Sequence, residues 1–168
     1  MGIINASPES FYKESIATGK KIISERAIEM EEEGADLIDI GGMSTAPYGH
    51  TFVSANKEVE RLRNSISAVK DVCSIPLSVD TPRAEVAKVS IDMGVDLVND
   101  VTGLKYDEKM KSVVFSSGLP VIIGAYGDRS VTYNSGNIAE TIDILQKSLV
   151  IAHESGISEN KLIVDPLI

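Results

Sequence analysis

Five side chains able to exchange hydrogen bonds, Asn5, Asp39, Asp80, Asn99 and Asp165, each stand at or next to the carboxyl end of a short apolar run. Runs of this kind, bounded by turn residues, read as buried parallel strands. An α/β sheet or barrel builds its ligand site outside the carboxyl ends of its strands. Any one of the five reads equally well as a turn or cap residue, because Asp and Asn side chains hydrogen-bond the backbone that follows them. Their recurrence along the chain is what argues for a polar pocket. No cysteine or histidine chemistry competes with this reading. Cys73 is the only cysteine, which excludes an intrachain disulfide and a cysteine-cluster metal site, and it reads as a small apolar residue. His50 and His153 lie far apart in sequence and fit no H-x-x-x-H pattern.

The elements that must position these side chains alternate strand with helix. Ile3-Ile4, Leu37 to Ile40, Leu77 to Val79, Asp96 to Val98, Pro120 to Ile123 and Lys161 to Val164 are the expected strands. Between them, helical periodicity runs from about Thr18 to Glu33, Ser54 to Asp71, Thr81 to Met93, Asp107 to Ser116 and Ile138 to Glu154. The second of these carries Val59, Leu62, Ile66 and Val69 on one face. Thr81-Pro82 reads as an N-cap followed by proline at the first helical position. The phrase Gly34-Ala35-Asp36-Leu37-Ile38-Asp39 is echoed by Gly94-Val95-Asp96-Leu97-Val98-Asn99 two units later, which sets a repeat of about thirty residues, the unit length of a (β/α)₈ barrel. At that spacing the chain reaches a sixth strand. An open doubly wound sheet shares this local grammar, and periodicity alone does not separate the two.

Composition bounds the function. With 168 residues, 43% hydrophobic and 24% charged, the chain is long enough for one globular unit with a real core. A formal net charge of −9 and the lack of any Lys/Arg block argue against nucleic acid as a partner. No apolar run reaches the roughly 18 residues of a membrane span, and Met1-Gly2-Ile3-Ile4-Asn5 lacks a signal-peptide layout, so no membrane partner is expected and the cytoplasm is the expected compartment.

Several longer motifs resemble one family. Met1-Gly2-Ile3-Ile4-Asn5-Ala6-Ser7-Pro8-Glu9-Ser10-Phe11 is similar to the opening motif of dihydropteroate synthases, and Asp39-Ile40-Gly41-Gly42-Met43-Ser44-Thr45-Ala46-Pro47 to their second signature. Ser78-Val79-Asp80-Thr81, Val98-Asn99-Asp100-Val101 and Ile163-Val164-Asp165-Pro166 resemble the third, fourth and sixth strand ends, in the family's order. The resemblance implies an incomplete TM barrel of about six strands, with residues 1–168 as its N-terminal portion. It implies a transferase joining a dihydropterin pyrophosphate to p-aminobenzoate or a related arylamine, with Mg²⁺ assisting. Asp80 and Asp165 would carry catalytic roles. Asp80, Asn99 and Asp165 would pair with the donors and acceptors of the pterin edge, with Val101 beside them. Asn5 would hold the metal or the pyrophosphate, and Thr45 would contact the diphosphate. The partners are then small molecules, and a homodimer is compatible with the reading.

The departures are as specific as the matches. Met43 and Ala46 stand where the family usually has Glu and Arg, and Ile123-Gly124-Ala125-Tyr126-Gly127 stands where a Met-His-Met-type run lines the pterin pocket. A diphosphate needs a cation, and Lys13 and Arg129 are the candidates to replace the loop arginine. The family's later Lys and its Arg/His segment would lie beyond Ile168. Two other readings follow: the pterin-binding domain of a corrinoid-dependent methyltransferase, and a non-catalytic pterin-binding fragment.

Overall fold

The computed structural model describes residues 1–7, 19–43, 53–126 and 137–167. Six strands, β1 (Gly2–Asn5), β2 (Ile38–Gly41), β3 (Leu77–Asp80), β4 (Leu97–Asp100), β5 (Val121–Gly124) and β6 (Leu162–Asp165), alternate with five helices. The helices are α1 (Lys20–Glu32), α2 (Ala55–Lys70), α3 (Ala84–Asp92), α4 (Met110–Ser117) and α5 (Ile138–Glu154). A 3₁₀ turn, Glu159–Lys161, leads into β6. Among the described residues each strand after β1 pairs in parallel with the one before it, so order in the sheet is order in the chain.

That order decides between the two candidate architectures. Right-handed crossovers that always step the same way place every helix on the same side of the sheet, whereas a doubly wound sheet needs a reversal of direction. No reversal occurs among the described strands. Ile4, Ile38, Ile40, Leu77, Val79, Val98, Val121 and Ile123 form one core with Ile23, Leu62, Ile66, Val86 and Val114 of the helices. The intervening strand positions face the other way, as strand periodicity demands. The sheet is therefore a stretch of (β/α) barrel wall, helices outside and a concave face within. Its edge strands leave apolar groups bare: Ile3 on β1 is 45% exposed, and Ile163 and Val164 on β6 are 47% and 48% exposed.

Local chemistry explains the element boundaries. Gly34 (φ 92°) and Gly94 (φ 84°) follow α1 and α3 in the left-handed region, which accounts for the repeated phrase as a repeated helix stop. Ser54 caps α2, accepting from the Lys57 N–H. The expected Thr81 cap is corrected by the structure: α3 begins at Ala84 with Arg83 at the cap position, and no side chain of its own turn caps it. Thr81 is instead drawn inward, and the Ala84 N–H donates to Asp107 Oδ2 at 2.9 Å. The other oxygen of Asp107 accepts from the Lys109 N–H at the start of α4. Asp96, expected inside the fourth strand, lies just before it, where its carboxylate accepts the Leu77 N–H that opens β3.

Of the expected apolar face of α2, Leu62, Ile66 and Val69 are fully buried and Val59 is packed at the margin. Each fully buried side chain contributes about 1.5–3 kcal/mol of transfer free energy. Ile66→Ala should therefore lower unfolding free energy by about 2–5 kcal/mol, because a cavity adds to the lost transfer term. Urea unfolding followed by circular dichroism checks this; a loss under 1 kcal/mol would show that α2 is not docked as described.

Candidate functional site

The registers set the site. Asn5 pairs with Gly41, Gly41 with Asp80 and Asp80 with Asn99, so four strand ends stand at one level. Residues two apart on a strand share a face, which adds Asp39 and Ser78 to the concave side of β2 and β3. Asp165 faces the same side on β6, level with Gly124. Asn99 is level with Ile122 and so with Ile163, which puts Asp165 two strands over and two positions further along β6 on the same face.

Asp39 is the best-anchored member. It is buried, accepts from the Ser78 hydroxyl on one oxygen and from Asn99 Nδ2, 3.1 Å away, on the other. Asn99 also has its backbone carbonyl engaged, by the Thr81 N–H at 3.1 Å. Burial raises the Asp39 pKa from its ordinary value, and the hydrogen bonds from Ser78 and Asn99 oppose that rise.

Asp80 is the opposite case. Its Oδ1 atom is enclosed and has no hydrogen-bond partner. Burial pushes the Asp80 carboxyl well above the usual carboxylate range, and the negative charges of Asp39, Asp100 and Glu58 push it further. A Cβ placed on Gly41 would stand 3.0 Å from Asn5 Oδ1 and 3.7 Å from Asp80 Oδ2. The absent side chain thus leaves an opening bordered by an amide oxygen and a carboxylate. An enclosed acceptor without a donor costs about 1–3 kcal/mol, a cost that an N–H-bearing ligand would remove.

Two other expected members stand at the rim. Asp165 accepts the Leu167 N–H at 2.9 Å on Oδ1, so it serves a turn as well as facing the pocket. Val101 is half-buried; its carbonyl accepts the Tyr126 N–H at 3.2 Å and its backbone lies against Gly124, where a Cβ would come within 2.4 Å of the Val101 oxygen. A larger residue at position 124 has no room, and that is the physical content of the Gly124 departure. Thr45, Lys13 and Arg129 lie outside the described residues, as does most of the Ser7-Pro8-Glu9-Ser10-Phe11 loop.

The pterin binding enzyme family model matches residues 1–168. The chain belongs to that family. It is 33% identical over 166 residues to the dihydropteroate synthase of Clostridium beijerinckii, covering 99% of this chain and 61% of the relative. Among solved structures, the dihydropteroate synthase of Clostridium difficile in the presence of pteroic acid superposes with a TM-score of 0.84 at 36% identity, over 99% of this chain and 63% of that one. The Thermus thermophilus dihydropteroate synthase in complex with 4-aminobenzoate gives a TM-score of 0.79 at 30% identity, over 99% and 59%. The chain thus spans about three-fifths of the length of the relatives it matches. Among the described residues, no helix is long and apolar enough to cross a membrane.

Sequence reasoning missed the polar residues that hold the strand ends in place. Ser78 is two positions before Asp80, and period-two alternation alone assigns it to the same face. Glu58 lies on the apolar face of α2, four residues before Leu62, and a carboxylate at a core position was the available signal. It is 0% exposed, accepts from Thr81 Oγ1 and from Arg83 Nη1, each at 2.6 Å, and is raised by burial against those contacts. Asp100 is buried on the helix side, where it accepts from the Thr102 and Leu104 N–H groups and the Thr102 hydroxyl.

A carboxyl whose folded-state pKa is raised binds its proton more tightly in the folded state than in the unfolded one. Its contribution is therefore most favourable below the unfolded value of 3.8 and is lost as pH rises through the folded value. Asp80→Asn, which needs no proton to stay neutral, should raise Tm at pH 7, and the gain should shrink as pH falls toward 3.8. Thermal melts across pH test this. A pH-independent gain would place Asp80 outside the crowded environment described.

Proposed function

We propose that this chain forms the pterin-holding part of a dihydropteroate synthase-type transferase, which joins a dihydropterin pyrophosphate to p-aminobenzoate or a related arylamine. The observation that carries it is the enclosed, unpartnered Oδ1 of Asp80 beside the Asp39–Asn99 pair. An aminopyrimidine edge presents N–H donors to carboxylates and ring acceptors to a carboxamide N–H, the complement of Asp80, Asp165 and Asn99. Relatives crystallised with pteroic acid and with 4-aminobenzoate support the same ligand class.

The chemistry asks little covalent work of the protein. The bond from the pterin methylene carbon to the diphosphate oxygen breaks, the arylamine nitrogen bonds to that carbon, and the nitrogen gives up a proton. Asp80, Asn99 and Asp165 fix the ring so that the methylene points out toward the mouth, where Thr45 and the arylamine would meet it, and positioning supplies much of the rate. Asp80 and Asp165 also stabilise charge on the ring as the leaving group departs.

Mg²⁺ would neutralise the departing diphosphate. Its fit can be judged from Asn5, whose amide oxygen and the Asp80 carboxylate border the opening left by Gly41. Hard oxygens of this kind suit Mg²⁺, which takes one or two protein ligands and completes its shell with phosphates and water. Among the described residues no three His, Cys, Asp or Glu side chains are grouped to hold a metal unaided, so Asn5 would hold the ion jointly with the diphosphate. A plain pterin ligand, as in the methyltransferase reading, is favoured by Met43 and Ala46, which bring no charge to the second loop.

Isothermal titration with dihydropterin pyrophosphate and with plain dihydropterin, each with and without Mg²⁺, separates these readings. The synthase reading expects tighter binding of the diphosphate in Mg²⁺. Equal affinity for both ligands would overturn it in favour of a plain pterin site. In the same assay Asp165→Ala should weaken both ligands by roughly tenfold or more, the cost of a lost charged hydrogen bond. Asn5→Ala should abolish only the Mg²⁺-dependent gain.

A further inference from the structure

Outside the pocket, the acid Glu58 is fully buried and is paired with Arg83, and neither touches the ligand site. Glu58 stands in the first turn of α2 and reaches no solvent; both its oxygens are engaged, by Thr81 and by an Arg83 guanidinium whose side chain is only 15% exposed. Burying an ion pair brings little net stability, because desolvation of both charges offsets their attraction. A well-packed apolar pair would hold α2 to α3 as firmly, so the polar pair calls for another explanation.

Its geometry supplies one. Thr81 directly follows Asp80, and two bonds determine where it stands: its N–H to the Asn99 carbonyl at 3.1 Å and its hydroxyl to Glu58. The Arg83 N–H returns to that hydroxyl oxygen at 3.2 Å, closing the turn after β3. On its other side Glu58 touches the turn after β2: a Cβ on Gly42 would stand 3.1 Å from both Glu58 Cγ and the Glu58 carbonyl, and 2.9 Å from Leu62 Cγ. One helical turn on, Arg61 Nη1 donates to the Gly42 carbonyl at 3.2 Å. The start of α2 therefore holds the exits of two adjacent strands at once. One carries Asp80; the other opens the loop that contains Thr45.

We propose that Glu58 is a positioning residue of the pocket, fixing through Thr81 and Arg83 the placement of the Asp80 strand end relative to the Gly42–Met43 turn. Its consequence for ligands rests on the pterin-binding reading; its consequence for the strand ends does not. Glu58 touches neither ligand nor reacting atoms. It works by holding the groups that do.

The test is the double substitution Glu58→Met with Arg83→Met, which removes the pair without leaving a buried charge alone. The expected result is a folded protein with Tm close to wild type and displaced amide resonances at Gly42, Met43, Asp80 and Thr81. Dihydropterin affinity should fall by roughly tenfold, as for a lost hydrogen bond to a charged group. Glu58→Gln, which keeps an acceptor for Thr81, should recover most of that affinity. A folded double variant with wild-type amide shifts and wild-type affinity would overturn the proposal. Should the double variant not fold, Thr81→Val keeps the ion pair and removes only the hydroxyl; unchanged amides at Asp80 and Gly42 in that variant would overturn the proposal equally. Failure of the wild-type protein to bind dihydropterin would overturn the functional reading alone, since the amide shifts need no ligand.

Discussion

A parallel ladder in which every strand pairs with the one before it can place helices on one side only, and the rest of this structure depends on that constraint. Because the helices take the outer face, the apolar positions Ile4, Ile40, Val79, Val98 and Ile123 are committed to packing. The alternate positions are then free to be polar without weakening the core. Four such positions, Asn5, Gly41, Asp80 and Asn99, reach one level because the register carries no stagger between β1 and β4. Strand periodicity and pairing register, not long-range folding of loops, bring the site together.

The site is held at an electrostatic disadvantage. Three acids, Asp39, Asp100 and Glu58, act on Asp80, and each of those three is well satisfied by hydroxyl, amide or guanidinium donors. Asp80 is left with the repulsion of the other three and an open oxygen. A protein selected for stability alone would place an amide or an apolar group there; retaining the acid trades stability for a ligand contact.

Much of this arrangement was legible in the sequence, for reasons that can be named. Helix stops at Gly34 and Gly94 repeat because both need a left-handed residue, and short apolar runs ending in Asp or Asn announce strands whose ends face a pocket. The barrel wall itself was not separable from a doubly wound sheet by periodicity, since both use the same strand and helix phrases. Only the pairing order resolves them. Thr81 was misread as a cap because its usual local preference is overridden by Glu58, a partner 23 positions earlier that no local pattern connects to it. Ser78 and Glu58 themselves were hidden for different reasons. The first is an unremarkable residue in a strand, and the second is a single acid on a helix face read only for its apolar residues Val59, Leu62, Ile66 and Val69. The roles of Thr45, Lys13 and Arg129 fall on residues outside those described.

Asp107 ties two helices together in a way that bears on how the molecule opens. Its two carboxylate oxygens take the first free amide of α3 and an amide at the start of α4, so neither helix has an independently satisfied beginning. Fraying at one end releases a carboxylate the other needs. The segment from Ala84 to Ser117 should accordingly exchange its amide hydrogens as one cooperative unit. Because β4 and Asn99 lie inside that segment, solvent access to the floor of the pocket is governed by the opening of a whole outer layer and not by the breathing of a single strand.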